Sequence, residues 1–129
     1  MRTAILSAAV VAALAAAVPA SASVDPSLTV KPSRLTLGET ATIQGQSWVV
    51  GAGCANRVRV TITGRSEGER WRAPVGTGKV DRSTGGFRLR FTPPQSKFPA
   101  GRATLIARQD CPADQGGDMV RRTRLTLVD

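Results

Sequence analysis

Cys54 and Cys111 are the side chains of this sequence best able to bind a metal, act as a nucleophile or form a disulfide. Which of these they do depends on the other ligands and bases in the sequence. A thiolate metal site needs further cysteine or histidine ligands, and a cysteine nucleophile needs a neighbouring base. The sequence has 2 cysteines and no histidine, which disfavours both uses. A Cys54–Cys111 disulfide is therefore predicted, and chain entropy gives a bond that closes a loop of about 57 residues a contribution of about 4 kcal/mol.

Arginines alternate with apolar residues in several segments, so they share one side of each predicted strand. In "RVRVTI", residues 57–62, the arginines point outward if the valines face a core. The same parity places five side chains on one outer face: Arg57, Arg59, Arg108, Arg122 and Arg124. Guanidinium groups bind phosphate or carboxylate through paired hydrogen bonds, so this face is a candidate site for an anionic partner. The alternative is a solvated strand face whose charges prevent edge-to-edge aggregation.

The composition is strongly basic, with 18 Lys and Arg residues against 9 Asp and Glu residues and a formal net charge of +9. Such a surplus attracts polyanions. Most of the basic residues are arginines, which together with abundant alanine and glycine also fits the codon bias of a GC-rich genome. Specific nucleic-acid binding is not predicted. With 2 tryptophans and 3 phenylalanines, the sequence has few aromatic side chains on which bases could stack, and it contains no nucleic-acid-binding motif.

No catalytic, metal or cofactor site is predicted from the remaining polar residues. Without histidine there is no Ser-His-Asp arrangement. Glu67 and Glu69 stand two apart on a predicted hairpin tip, whereas glycoside hydrolysis needs two carboxyl groups across a cleft. The segment "DCPADQGGD", residues 110–118, has three aspartates whose spacing matches no calcium-binding loop. The sequence therefore does not predict an enzyme.

Trp48 is a candidate contact residue at the end of the domain where the loops of the two cysteines meet. Binding loops often cluster at one end of a β-sandwich. The alternative interpretation is that Trp48 packs beneath its own loop. Trp71 has the same two possible uses, as a cap on the edge of the core or as an exposed contact.

The first 22 residues have the layout of a secretory signal peptide. Met1 and Arg2 give a positive start, the segment 4–18 is uncharged and apolar, and "ASA" at 20–22 is a small-residue cleavage site. The apolar run of about 15 residues is shorter than the roughly 20 residues that a membrane span needs. We expect a secreted protein with one domain at residues 23–129 and no membrane span in the mature chain.

Short segments with alternating apolar and polar residues predict an all-β fold for this domain. They are separated by glycine and proline, and "DRSTGG", residues 81–86, is typical of a hairpin turn. Seven to eight strands at this spacing favour an antiparallel β-sandwich. The predicted strands are 27–31 continuing at 34–37, 40–46, 57–63, 73–80, 86–92, 102–109 and 120–128.

Three segments resemble the bacterial immunoglobulin-like domains of secreted actinobacterial proteins. They are "LTVKPSRLTLGETATIQGQSW", "VDRSTGGFRLRFTPP" and "PAGRATLIARQDC", which together span most of the mature chain. The resemblance implies an immunoglobulin-like sandwich. Cys54 and Cys111 would then lie in two loops at the same end of it, between the second and third and between the last two strands.

These observations predict a secreted, monomeric and non-catalytic binding module. Its partner would be an anionic cell-wall polymer or another component of the cell surface, including a surface protein. Two alternatives remain open at this point. One is a carrier of a small apolar ligand, and the other is a purely structural domain without a ligand.

Overall fold

The computed structural model describes residues 25–129, and the predicted signal peptide lies outside them. The described region is all-β, as predicted, and its helical structure is limited to one 3₁₀ turn at Ala113–Gln115. The strands are β1 (Ser27–Lys31), β2 (Arg34–Thr36), β3 (Ala41–Gln46), β4 (Arg57–Ser66), β5 (Glu69–Lys79), β6 (Phe87–Phe91), β7 (Gly101–Gln109) and β8 (Met119–Val128). No helix in this region is long and apolar enough to cross a membrane.

The strands form two sheets that enclose one core. The smaller sheet has the order β1-β3-β6, and the larger has the order β2-β8-β7-β4-β5. Neighbouring strands are antiparallel except for β2 and β8, which are parallel. The chain changes sheets between β1 and β2, at "KPS", where the Lys31–Pro32 peptide bond is cis.

The core confirms the predicted alternation of inward apolar and outward polar residues along the strands. Inward positions along each strand carry apolar side chains, and those with no exposed surface come from both sheets. They include Leu35, Ile43, Val58, Ile62 and Leu105. Because apolar residues occupy every second position, the intervening polar residues are fixed on the outer faces of the two sheets.

Phe87 packs between the sheets at a place where only glycine leaves room for its ring. A Cβ atom on Gly45, in β3, would lie 2.0 Å from the Cε2 atom of Phe87. A Cβ atom on Gly78, in β5, would lie 2.5 Å from its Cδ1 atom. The two glycines therefore let one aromatic side chain fill the space that smaller residues leave at this end of the core.

The largest departure from the predicted strands concerns β5. The sequence predicts a weak strand at 73–80, whereas β5 begins at Glu69 and forms a long hairpin with β4. Glu67 and Gly68 form the tip of that hairpin, with φ angles of 52° and 85°. The hairpin makes β5 the edge strand of the larger sheet, next to β4.

The "DRSTGG" segment is a turn, but the prediction that it closes a hairpin is wrong. The turn is held by two backbone hydrogen bonds of 2.8 Å, from Asp81 N–H to the Gly86 carbonyl and from Gly85 N–H to the Asp81 carbonyl. It carries the chain from β5 in one sheet to β6 in the other, so the strands on either side of it are not paired.

Candidate functional site

Cys54 and Cys111 form a disulfide, as predicted from the sequence. Cys54 lies in the loop between β3 and β4, and Cys111 lies in the loop between β7 and β8. The backbone N–H of Ala55 also donates to the Asp110 carbonyl at 2.8 Å, next to the disulfide. The bond thus joins two loops at one end of the sandwich and holds them against each other.

Gln109, at the end of β7, is a second link to the loop between β3 and β4, and the sequence analysis missed it. Its side chain is fully buried. The amide nitrogen donates to the carbonyls of Val49 (2.7 Å) and Ala55 (2.8 Å), and the amide oxygen accepts from Val49 N–H at 3.1 Å. A polar residue at an inward position after Ala103, Leu105 and Ala107 was the signal that could have identified it.

Trp48 is a core residue, which corrects its interpretation as a contact residue at the loop end. Its side chain is only 2% exposed. The indole N–H donates to the Ser27 carbonyl at 3.0 Å, and the ring meets Phe87 edge to face with centroids 5.8 Å apart. The indole is buried because its polar group finds a backbone acceptor and its ring extends the core.

Trp71 caps the edge of the core and is not an exposed contact residue, which was the other role considered for it. It is partly buried against the core and meets Phe98 edge to face at 5.6 Å. Its ring covers Gly64 on the neighbouring strand, where a Cβ atom would lie 2.7 Å from its Cζ2 atom. Trp71 therefore lies on the inner side of the larger sheet, away from the arginines.

The structure brings all five predicted arginines to the outer face of the larger sheet. Arg59 on β4 lies directly opposite Arg108 on β7. Arg122 and Arg124 on β8 lie opposite Ile106 and Thr104 of β7. Arg57 is exposed at the beginning of β4. The placement on one face is as predicted, whereas an anionic partner for it remains a prediction.

The same face carries further arginines that the sequence analysis did not include. Arg65 on β4, Arg70 and Arg72 on β5, and Arg102 on β7 are exposed at outward positions. Arg70 and Arg72 were missed because the predicted strand began only at residue 73, whereas β5 begins at Glu69. In the observed register Arg72 lies opposite Thr63 and Arg70 lies opposite Arg65.

These arginines surround an open groove of about 1270 Å³ on the outer face. Its lining includes six of them and no acidic or aromatic residue: Arg65, Arg70, Arg72, Arg102, Arg122 and Arg124. Among the described residues, none of the six forms a salt bridge. The groove is therefore a strongly positive surface whose charges are free to meet an anion.

At the end of the face nearest the disulfide, two arginines are already paired. The Arg59 guanidinium donates to Asp110 at 2.8 Å, and the Arg108 guanidinium donates to Asp118 at 3.2 Å. Asp118 also accepts a 3.0 Å hydrogen bond from the Cys111 N–H. The disulfide-tied loop thus supplies the carboxylates that neutralise the arginines at this end of the face. The arginines of the groove have no such acidic partners.

The other carboxylates do not form a site together. Within residues 25–129, no group of three or more His, Cys, Asp or Glu side chains is placed to hold a metal ion. Glu67 and Glu69 lie at the β4–β5 hairpin tip. Asp81 has a structural use, because its carboxylate accepts hydrogen bonds from the Ser83 hydroxyl and from the N–H groups of Ser83 and Thr84. These bonds lower the pKa of Asp81 below its ordinary value of 3.8.

No protein-family model and no curated protein matches the sequence. Among solved structures, the chain is similar to the Pseudomonas fluorescens alkylpurine DNA glycosylase AlkC bound to DNA containing an abasic site analog, with a TM-score of 0.52 and 13% identity. It is also similar to Spo0M, a sporulation control protein from Bacillus subtilis, with a TM-score of 0.50 and 16% identity. Both similarities cover 81% of this chain, but only 30% and 49% of those chains. At these identities the likeness shows the fold alone.

Proposed function

We propose that this chain is an exported, immunoglobulin-like binding module that acts without catalysis and contacts an anionic component of the cell envelope. The contact surface is the outer face of the larger sheet. The observation that carries the proposal is the groove with six arginines and no acidic residue in its lining. Grouping this many like charges on a folded surface costs self-repulsion, which an anionic partner relieves.

The strand arrangement supports the immunoglobulin-like part of the proposal. The strands β4, β7 and β8 adjoin in one sheet, as the third, sixth and seventh strands do in immunoglobulin domains. The first strand is divided, with β1 in one sheet and β2 in the other. The disulfide supports export, because such bonds persist in oxidising compartments, and the layout of residues 1–22 agrees with a signal peptide.

The alternative of an apolar-ligand carrier receives less support from the described residues. The apolar side chains of both sheets meet in one core, where Ile43, Ile62 and Leu105 have no exposed surface. The groove on the outer face is lined mainly by arginine and threonine. A small apolar ligand would find few apolar contacts there, whereas a polyanion would find many donors.

A matched pair of double variants tests the proposed function. In Arg122→Gln/Arg124→Gln, two charges are removed from β8 on the groove. In Arg88→Gln/Arg90→Gln, two exposed charges with the same spacing are removed from β6 on the opposite face. We expect the first variant to lose salt-sensitive retention on the producing organism's envelope fraction, while the second retains it. The proposal is wrong if the unmodified protein is not retained, or if both variants lose retention equally.

A further inference from the structure

The arginines of the groove form two rows with an uncharged floor between them. One row is on β8, with Arg122 and Arg124, and the other is on β5, with Arg70 and Arg72. The strands β7 and β4 lie between the rows. Their outward residues in this part form the floor, which consists of Thr63, Thr104 and Ile106.

The register aligns the two rows across the sheet. Arg124 lies opposite Thr104, Thr104 lies opposite Thr63, and Thr63 lies opposite Arg72. Three inter-strand spacings therefore separate the rows, which corresponds to about 14 Å between backbones. Half of that distance is within the reach of an extended arginine side chain, so guanidinium groups from both rows can meet a ligand on the floor.

The groove runs along the strands. Arg65 and Arg102 lie at its end away from the disulfide. Its lining ends at Ile106, next to Arg59 and Arg108, whose charges are balanced by aspartates. A smaller depression lined by Arg59, Ile106 and Arg108 continues the groove there. Together they give a floor of about 20 Å along β7 from Arg102 to Arg108 at the usual rise of a strand. Successive arginines of one row repeat every second residue, about 6.7 Å apart. These dimensions suit a linear ligand whose charges repeat along its length.

The chemistry of the lining restricts what such a ligand presents. No aromatic side chain lines the groove, so neither a base nor a sugar ring has a surface on which to stack. A phosphodiester has two free oxygens that point away from the chain on different sides, so one phosphate can accept hydrogen bonds from both rows. A carboxylate pairs with a guanidinium in the same bidentate way. In a polycarboxylate such as oligoglutamate, however, it is a pendant group beside the chain, so it reaches the arginines of one row better than those of both.

From these features we infer that the groove binds a linear phosphodiester polymer without bases, laid along the strands between the two rows of arginines. The inference rests on the proposed function and names the chemical class of the envelope component. Each guanidinium group that pairs with a phosphate releases a cation held by the polymer, so binding weakens steeply with salt. If about four phosphate contacts form, the logarithm of the association constant falls with that of the salt concentration with a slope of about −2.8.

The test measures the binding of synthetic glycerol-phosphate oligomers to the mature chain by titration calorimetry in low-salt buffer. From a dimer to a tetramer, which fills the 20 Å groove, we expect affinity to increase about tenfold or more, because each added contact contributes about fivefold. From the tetramer to an octamer we expect only a small further gain. Equal affinity for the dimer and the octamer would overturn the inference, because it would indicate a site for a single anion.

Five comparisons, with three double variants and two other polyanions, decide between this ligand class and others. Arg122→Gln/Arg124→Gln and Arg70→Gln/Arg72→Gln, one from each row, should each weaken binding of the octamer about tenfold, while Arg88→Gln/Arg90→Gln changes it less than twofold. An oligoglutamate of equal charge should bind at least about tenfold more weakly than the octamer. The inference is overturned if the β5 variant has no effect, if oligoglutamate binds equally well, or if an oligothymidylate binds more tightly than the octamer.

Failure of this inference is distinguishable from failure of the proposed function. If glycerol-phosphate oligomers bind no better than oligoglutamate, but envelope retention still depends on Arg122 and Arg124, only the ligand class is wrong. If the envelope fraction does not retain the unmodified protein, the proposed function itself is wrong.

Discussion

Arg59 and Arg108 lie directly opposite each other on β4 and β7, and each is paired with an aspartate from the loop that carries Cys111. Like charges in this position repel each other across a sheet. Asp110 and Asp118 offset that repulsion. They also mark the end of the part of the outer face where the arginines have no acidic partners. The disulfide-tied loop thereby sets where the groove stops.

Asp110→Asn should extend the groove by one free arginine. The side chains of Arg59 and Asp110 are 59% and 58% exposed, so their salt bridge contributes at most about 1 kcal/mol to folding. With Arg59 released, the glycerol-phosphate octamer should bind about two- to fivefold more tightly, with a salt slope steeper by about 0.7. Asp114→Asn is the control, because it changes the net charge equally in the same loop. Equal effects of both variants would show that net charge alone matters.

Gln109→Ala should destabilise the fold strongly although the side chain takes no part in binding. The change leaves the Val49 N–H and the carbonyls of Val49 and Ala55 without partners beneath the loop. We expect a loss of about 2 to 4 kcal/mol in urea unfolding. Gln46→Ala is the control, since Gln46 is exposed at the end of β3, and it should change stability by less than about 0.5 kcal/mol. A loss of similar size in both variants would contradict the role of Gln109.

The disulfide should contribute more to stability than any other single link between the two loops. Cys54→Ala/Cys111→Ala releases a loop with a sequence separation of 57. Chain entropy predicts a loss of about 4 kcal/mol for such a loop. The unmodified protein in reducing buffer should unfold at the same urea concentration as the double variant, and the variant should not respond to the reductant. An unmodified protein unaffected by reduction would contradict this expectation.

Asp81 should give the protein a stability component that disappears in acid. The hydrogen bonds from Ser83 and Thr84 lower the pKa of Asp81 in the folded state below 3.8. The stabilisation is therefore complete above the unfolded pKa and is lost as the pH falls through the lower, folded pKa. Asp81→Ala should lower Tm at neutral pH, and its Tm should approach that of the unmodified protein as the pH falls below 3.8. A Tm difference that stays constant or widens in acid would be inconsistent with this account.

The strands that the sequence predicts well are those whose pattern is local. Val58, Val60 and Ile62 alternate with polar residues, and that alternation alone decides which side of β4 faces the core. The outward placement of Arg57 and Arg59 follows directly. The disulfide was also predictable, because two cysteines without other metal ligands or a catalytic base leave few uses.

The features that the sequence did not predict either lack a clear alternation of apolar and polar residues or depend on contacts between distant segments. The strand β5 contains Pro74, Gly76 and Gly78, so it lacks a clear alternation, and its partner is determined by the turn at Glu67 and Gly68. Arg72 reaches the groove only because β5 pairs with β4. The salt bridges of Asp110 and Asp118 similarly depend on the path of a loop, which residue parity does not describe.

Gly45→Ala should disrupt the end of the core where the sheets meet Phe87. The added Cβ atom would lie 2.0 Å from the Cε2 atom of Phe87, whose ring also packs closely against Gly78 and is only 6% exposed. Overpacking of this kind costs about 1 to 3 kcal/mol, measured by urea unfolding. Gly76→Ala is the control, because its Cβ atom would meet Leu89 at an ordinary distance of 3.7 Å, and it should lose less than about 1 kcal/mol. If Gly45→Ala is as stable as Gly76→Ala, the ring of Phe87 is not confined by these glycines, and the packing described for this end of the sandwich is wrong.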